Sequence, residues 1–192
     1  GYTVTYGYDA AGRLTTVSDG GVNPLVIYSY DSVGRLEQEV NGNGTTTTYS
    51  YDAASQLLSI VNAAPDSSVN SRFDYTYDDL GRRTTMTTLE GTWTYGYDAS
   101  GQLTAVTLPN GRHIEYAYDA AGNRITVNDD GVTTDYSTNN LNQYTSVGDA
   151  THTYDADGNL IAKTENGELT TYDYNAENRL IQVGNSGGIW TY

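Results

Sequence analysis

Seven aspartates recur in one local setting, and carboxylates repeated this often are the first residues to test for chemistry. Asp9, Asp31, Asp52, Asp78, Asp98, Asp119 and Asp155 each follow the same kind of segment, with Asn139 and Asn175 in the equivalent slot, at spacings of 22, 21, 26, 20, 21, 20, 16 and 20 residues. A carboxylate can act as a general acid or base, or supply oxygen to calcium. Glycoside hydrolysis needs two carboxylates facing one bond at a suitable separation. Glu37 with Glu39, or Glu165 with a neighbour, has the spacing to share a strand face, although surface strands do this routinely. Calcium needs clustered oxygens. Asp129-Asp130-Gly131 and Asp155-Ala156-Asp157-Gly158 are the candidate segments, and neither completes a calcium-loop pattern. One aspartate per repeat, always at a turn, reads as structural.

Other reactive side chains give less. His113 and His152 are the only histidines and cysteine is absent, so neither a transition-metal cluster nor a thiol nucleophile is expected. Serine and threonine are abundant, but a hydroxyl needs a base and an orienting group to become a nucleophile. The glycines recur at turns between strands, not at the strand-to-helix junction of a phosphate loop. Trp93 and Trp190 suit a carbohydrate-binding stripe, or they replace missing aliphatic residues in the packing. Arg13 and Arg35 are placed to pair with acids or to lie over neighbouring tyrosine rings. No catalytic, cofactor-binding or metal-ligating residue is assigned, and no cofactor is expected.

The elements that must hold these residues are short strands. Tyr2, Val4, Tyr6 and Tyr8 alternate with Thr3, Thr5 and Gly7, and Trp93, Tyr95, Tyr97 and Ile114, Tyr116, Tyr118 repeat the pattern. Period two with aromatic and β-branched residues is the strand signature. In Asp9-Ala10-Ala11-Gly12 the aspartate opens a type I turn and the glycine takes the left-handed conformation, giving a Gly bulge and a returning strand. Asn142 and Asn178 can replace that glycine, whereas Ser55 predicts a modified turn. Return strands carry Leu14/Val17, Leu36/Val40 and Leu103/Val106, spacings that require bulges or early strand ends. Asn110-Gly111, Asn166-Gly167, Glu90-Gly91 and Asp130-Gly131 mark turns at the other end of the strands. Pro24 and Pro65 are assigned to longer loops, with Asn62–Ser68 as a loop extension. The count is about sixteen strands, with a Tyr/Leu face buried and a Thr/Asp face wet.

Composition agrees. With 19 Tyr and 21 Gly but one Phe and one Met, the packing is aromatic rather than aliphatic. A net charge of -15 opposes binding to nucleic acid or anionic membranes, because the basic residues are scattered apart from Arg82-Arg83. No apolar run is long enough to cross a bilayer as a helix.

Tyr8-Asp9-Ala10-Ala11-Gly12-Arg13-Leu14 and Tyr30-Asp31-Ser32-Val33-Gly34-Arg35-Leu36, with copies starting at Tyr51, Tyr77, Tyr97, Tyr118, Tyr154 and Tyr174, resemble the RHS/YD-repeat family across nearly the whole chain. Leu141-Asn142-Gln143-Tyr144-Thr145-Ser146-Val147 is similar as well. The family comprises bacterial RHS and toxin proteins, toxin-complex shell subunits and teneurins. The resemblance implies repeats that spiral into a hollow shell, with the Tyr, Asp and Gly of each motif as structural turn residues. In bacterial toxins it implies enclosure of a C-terminal toxic domain. The aspartate-rich ending associated with release of that domain is not present in this sequence.

The expectation is an all-β protein: tandem β-hairpins in a curved or spiralling antiparallel sheet, a partial β-shell or solenoid-like array. Residues 1–192 are read as one YD-repeat array of about nine degenerate repeats, a fragment or processed piece of a longer one. Gly188–Tyr192 looks like the first strand of another unit. The expected role is a non-enzymatic scaffold of a secreted or cell-surface protein that encloses or presents a partner or toxin domain. The alternative is an extracellular carbohydrate- or protein-binding adhesion module, self-associating through open sheet edges. Expected partners are neighbouring repeats or a larger parent shell, with no nucleic acid and no membrane insertion.

Overall fold

The computed structural model describes residues 3–21 and 23–192; Gly1 and Tyr2, expected to open the first strand, lie outside the described residues. The chain divides into two units, Gly1–Gly96 with Val106–Gly111, and Tyr97–Ala105 with Arg112–Tyr192. The first carries β1 (Thr5–Tyr8), β2 (Leu14–Ser18), β3 (Val26–Tyr30), β4 (Leu36–Asn41), β5 (Thr46–Tyr51), β6 (Leu57–Ala63), β7 (Val69–Tyr77), β8 (Arg83–Thr88) and most of β9 (Gly91–Tyr97). After β10 (Leu103–Thr107) the second continues with β11 (His113–Tyr118), β12 (Arg124–Asp129), β13 (Val132–Thr138), β14 (Tyr144–Val147) and β15 (Ala150–Tyr154). It ends with β16 (Leu160–Glu165), β17 (Glu168–Tyr174), β18 (Leu180–Asn185) and β19 (Gly188–Thr191).

The chain is all-β, with no helix among the described residues. Within the first unit each strand from β1 to β9 pairs antiparallel with the next. Within the second unit β11 to β19 do the same. The nineteen strands among the described residues exceed the roughly sixteen expected from sequence; the degenerate Asn139–Tyr144 slot closes a hairpin, and Gly188–Thr191, expected as the first strand of another unit, forms a final strand.

A bulge sits at the same place in eight hairpins. Tyr30 faces Leu36 while Ser29 faces Gln38, so Glu37 is the extra residue; Thr15, Leu58, Thr84, Ile125, Thr145, Ile161 and Ile181 occupy that place elsewhere. The bulge changes which return-strand residues share a face. Leu14 and Val17 both face tyrosines, Tyr8 and Tyr6, as do Leu57 and Ile60 across from Tyr51 and Tyr49. Leu36 and Val40 do not share a face: Leu36 faces Tyr30, whereas Val40 faces Ile27.

The segment expected to be a loop extension is ordered hairpin. β6 and β7 run seven and nine residues, and the Ala64 N–H bonds to the Ser68 carbonyl at 2.8 Å, closing a tight turn with Pro65 inside it. Pro65 therefore lies in a turn, where its fixed φ is an advantage, and not in a long loop.

The faces differ as expected in chemistry but not in burial. Tyr28, Tyr49 and Tyr75 face Glu39, Ile60 and Met86, while the opposite face carries rows such as Ser50–Ser59–Asp74–Thr87–Thr92. Among the described residues Ala150, at 5% exposure, is the one buried hydrophobic side chain. The tyrosine face is half-buried, because a single sheet covers its side chains only with their lateral neighbours; closing a core takes a second layer.

Candidate functional site

The recurring aspartates organise one end of the hairpins. Asp9 Oδ1 accepts the N–H groups of Ala11 and Arg13 at 2.9 Å each, and Oδ2 accepts Arg13 Nε at 2.7 Å. The Gly12 N–H bonds to the Asp9 carbonyl at 3.0 Å, and φ of +78° at Gly12 completes the bulged turn. Asp31 with Arg35 and Asp78 with Arg82 repeat it. At Asp119 and Asp155 the amides of Asn123 and Asn159 replace the guanidinium, each at 2.9 Å.

These bonds hold several carboxyls in the charged form. Asp9 and Asp78 lie below the ordinary carboxylate value chiefly through the backbone N–H groups of Arg13 and Arg82. Asp119 and Asp155 are lowered first by the side chains of Asn123 and Asn159. At Asp31 burial pushes upward, but the backbone and guanidinium of Arg35 and the N–H of Val33 outweigh it. Such carboxylates are spent on the turn and poorly suited to proton transfer.

Ser55 keeps the standard turn instead of a modified one. Its φ is +67° and its N–H bonds to the Asp52 carbonyl at 3.2 Å. The preceding repeat supports it, since Arg35 Nη1 donates to the Asp52 carbonyl at 2.8 Å and to Ser55 Oγ at 3.1 Å. In four repeats the residue after the left-handed turn position thus reaches the next turn. Asn123 donates to Asn142 Oδ1, Gln143 to the Gly158 carbonyl and Asn159 to Asn178 Oδ1, at 2.9, 3.0 and 2.9 Å.

Tyrosine hydroxyls make a second connection. Between β2 and β3 the register pairs Thr16 with Ile27 and Val17 with Val26 but does not reach Leu14. Tyr30 fills that gap by donating its hydroxyl to the Leu14 carbonyl at 2.7 Å. Tyr51 does this for Leu36 at 3.0 Å, Tyr77 for Leu57 at 2.7 Å, Tyr118 for Leu103 at 2.8 Å and Tyr154 for Tyr144 at 2.9 Å. Arg13 and Arg35 cover the same rings, 4.6 and 4.7 Å from the centroids of Tyr30 and Tyr51, while also pairing with their own aspartates. In the degenerate repeat Thr138 occupies the tyrosine slot opposite Tyr144. There the Tyr144 hydroxyl accepts the Arg124 N–H at 3.1 Å, so the contact survives with tyrosine moved to the facing strand.

The family model of the RHS repeat matches residues 30–67, 97–134 and 154–189, more than half of the chain. The chain belongs to the RHS repeat family. The tRNA nuclease WapA of Bacillus subtilis is 30% identical over 118 residues, 62% of this chain and 4% of that protein. Double-stranded DNA deaminase toxin A of Burkholderia cenocepacia is 28% identical over 124 residues, 64% of this chain and 8% of that protein. The Photorhabdus luminescens Tc holotoxin pore superposes with a TM-score of 0.62 at 19% identity, over 95% of this chain and 12% of that one. This RHS chain thus spans under a tenth of the length of those two relatives, and the array is a structural scaffold.

The remaining candidates of the RHS chain are dispersed. Asp129 is engaged by Arg112, and Asp130, with φ of +52°, forms a two-residue turn with Gly131. Both Asp155 oxygens are occupied in their turn, one of them by the N–H of Asp157. Glu37 is a bulge residue, Glu39 faces Tyr28, and Glu165 pairs with Lys163 at 2.7 Å. His113 lies 3.7 Å from Glu115, and His152 faces Lys163. Trp190 faces Val183 and is 48% exposed. Trp93 faces Met86 and lines a concavity with Phe73 and Leu89. The sequence reading missed the hydroxyl contacts; the constancy of tyrosine before each aspartate is their signal.

Proposed function

We propose that this RHS chain is a stretch of wall in a longer secreted or cell-surface protein, where the repeats form a β-shell that encloses or presents a toxin domain. The observation that carries this reading is the twofold joining of successive hairpins, by tyrosine hydroxyls and by side chains passing from turn to turn. Such joining makes a continuous wall of the hairpins within each unit. The half-buried tyrosine face suits a wall whose inner surface meets further protein. In this reading the nucleic-acid chemistry named for two relatives belongs to parts this chain does not match. Its charge of -15 agrees, since it would repel a phosphate backbone.

The test is intact mass, terminal peptide mapping and limited proteolysis of the protein from its source. A chain continuing past Tyr192, with a further domain that resists protease while attached and is digested once separated, is the expected result. A native species of 20.8 kDa ending at Tyr192 would remove the shell reading.

A further inference from the structure

The hairpins are unequal at the end opposite the aspartate turns, and the largest inequality exposes a strand edge. β7 pairs with β6 as far as Val69 opposite Ala63, but with β8 only as far as Asp74 opposite Thr87. β8 turns back at Leu89 and Glu90, where Thr88 faces Gly91. Among the described residues, Phe73 falls opposite Thr88, the last residue of β8, so Val69–Arg72 runs past the end of β8 with one side of its backbone unpaired. Alternate N–H and C=O groups on such an edge are a template for another strand.

A concavity of ≈ 380 Å³ lies against this edge. Four consecutive β7 residues, Asn70 to Phe73, form one wall, and Met86, Leu89 and Trp93 supply apolar surface across from them. Glu90 stands at its rim, and Arg72 is held by Asp74 through two bonds of 2.6 and 2.9 Å. A continuous stretch of strand edge beside an apolar hole has the geometry of β-strand addition: the backbone pairs with the edge and one side chain fills the hole.

We propose that the β7 overhang is a docking site for an extended peptide segment, which adds as a short strand beside Val69–Arg72. One large apolar side chain of the segment enters the hole formed by Phe73, Met86, Leu89 and Trp93. The flanking residues are cationic, matching Glu90 at the rim and a chain of net charge -15. The occupant is a polypeptide rather than a sugar because the open edge beside the hole is strand backbone, which offers alternate donors and acceptors at peptide spacing. The site is independent of the shell reading, since it needs only the local register of β6 to β9.

Trp93 and Trp190 are the only tryptophans, so a Trp190→Phe variant reports the site by its own emission. The probe is a capped pentapeptide, Lys-Val-Leu-Val-Lys, titrated against this variant. Expected are a saturable change in Trp93 emission and loss of that change when the alternate backbone amides facing the edge are N-methylated, which removes donors but leaves the side chains. A peptide with Ala for the central Leu binds about tenfold more weakly. Equal binding of the N-methylated peptide overturns strand addition. No saturable change with any peptide, or a response to neutral oligosaccharides alone, overturns the peptide site. Because the N-methyl comparison leaves the protein unaltered, a folding defect cannot imitate it.

Discussion

At the residue scale, the tyrosine before each aspartate has a task beyond filling space. Tyr51 donates its hydroxyl to a carbonyl that the strand ladder leaves unpaired. Tyr51→Phe is expected to destabilise the protein by about 1 kcal/mol, the usual net value of one hydrogen bond. Tyr28→Phe, on the same face but without a hydrogen bond through its hydroxyl among the described residues, is the matched control and should change little. Urea unfolding of the two variants measures the difference, and equal losses would remove the role of the hydroxyl. The aspartates give a pH dependence. Asp9, Asp31, Asp78, Asp119 and Asp155 have folded-state values below the ordinary 3.8. A depressed folded value means that their contribution is complete above the unfolded value and is lost as pH falls through the folded values, below 3.8. Acid unfolding followed by circular dichroism should therefore begin in that range. Asp78→Asn, which imitates Asn139 and Asn175, should make the acid transition shallower while preserving the turn.

At the element scale the unit is a hairpin with two fixed irregularities, the left-handed turn residue and the return-strand bulge. Ser55 holds φ of +67° without being glycine. Ser55→Gly relieves that strain and gives up one exposed hydrogen bond from Arg35, so a net gain of about 0.5–1 kcal/mol in unfolding free energy is expected. A loss would mean that the Arg35 contact outweighs the backbone. Much of this element was legible in the sequence: alternation gave the strands, Asp-x-x-Gly the turns, and the acid or tyrosine partners of Arg13 and Arg35 followed from their place. Three features were not. The Leu36/Val40 spacing requires a bulge or an early strand end but does not mark Glu37 as the extra residue, because a bulge is defined by the partner strand. Asn62–Ser68 has the polar, Pro-containing composition of a loop, yet cross-strand pairing draws it into a hairpin. Ser55 predicts a modified turn from sequence alone because its support comes from Arg35, one repeat away.

At the scale of the whole molecule, charge is the plainest determinant. Twenty-four acidic against nine basic residues should prevent retention of duplex DNA at physiological ionic strength, which a mobility-shift experiment checks; a stable complex would show that the scattered arginines converge on a basic surface. The same scale shows where the chain tolerates variation. The aspartate turns and tyrosine hydroxyls fasten hairpins at one end, whereas spacings from 16 to 26 residues are absorbed at the other, in the long β6–β7 pair and the short β14–β15 pair. Each unit is set like a page with one justified margin and one ragged one. New length written into the ragged margin leaves the alignment of every other line intact, so that is where such a wall can acquire new surface without being rebuilt.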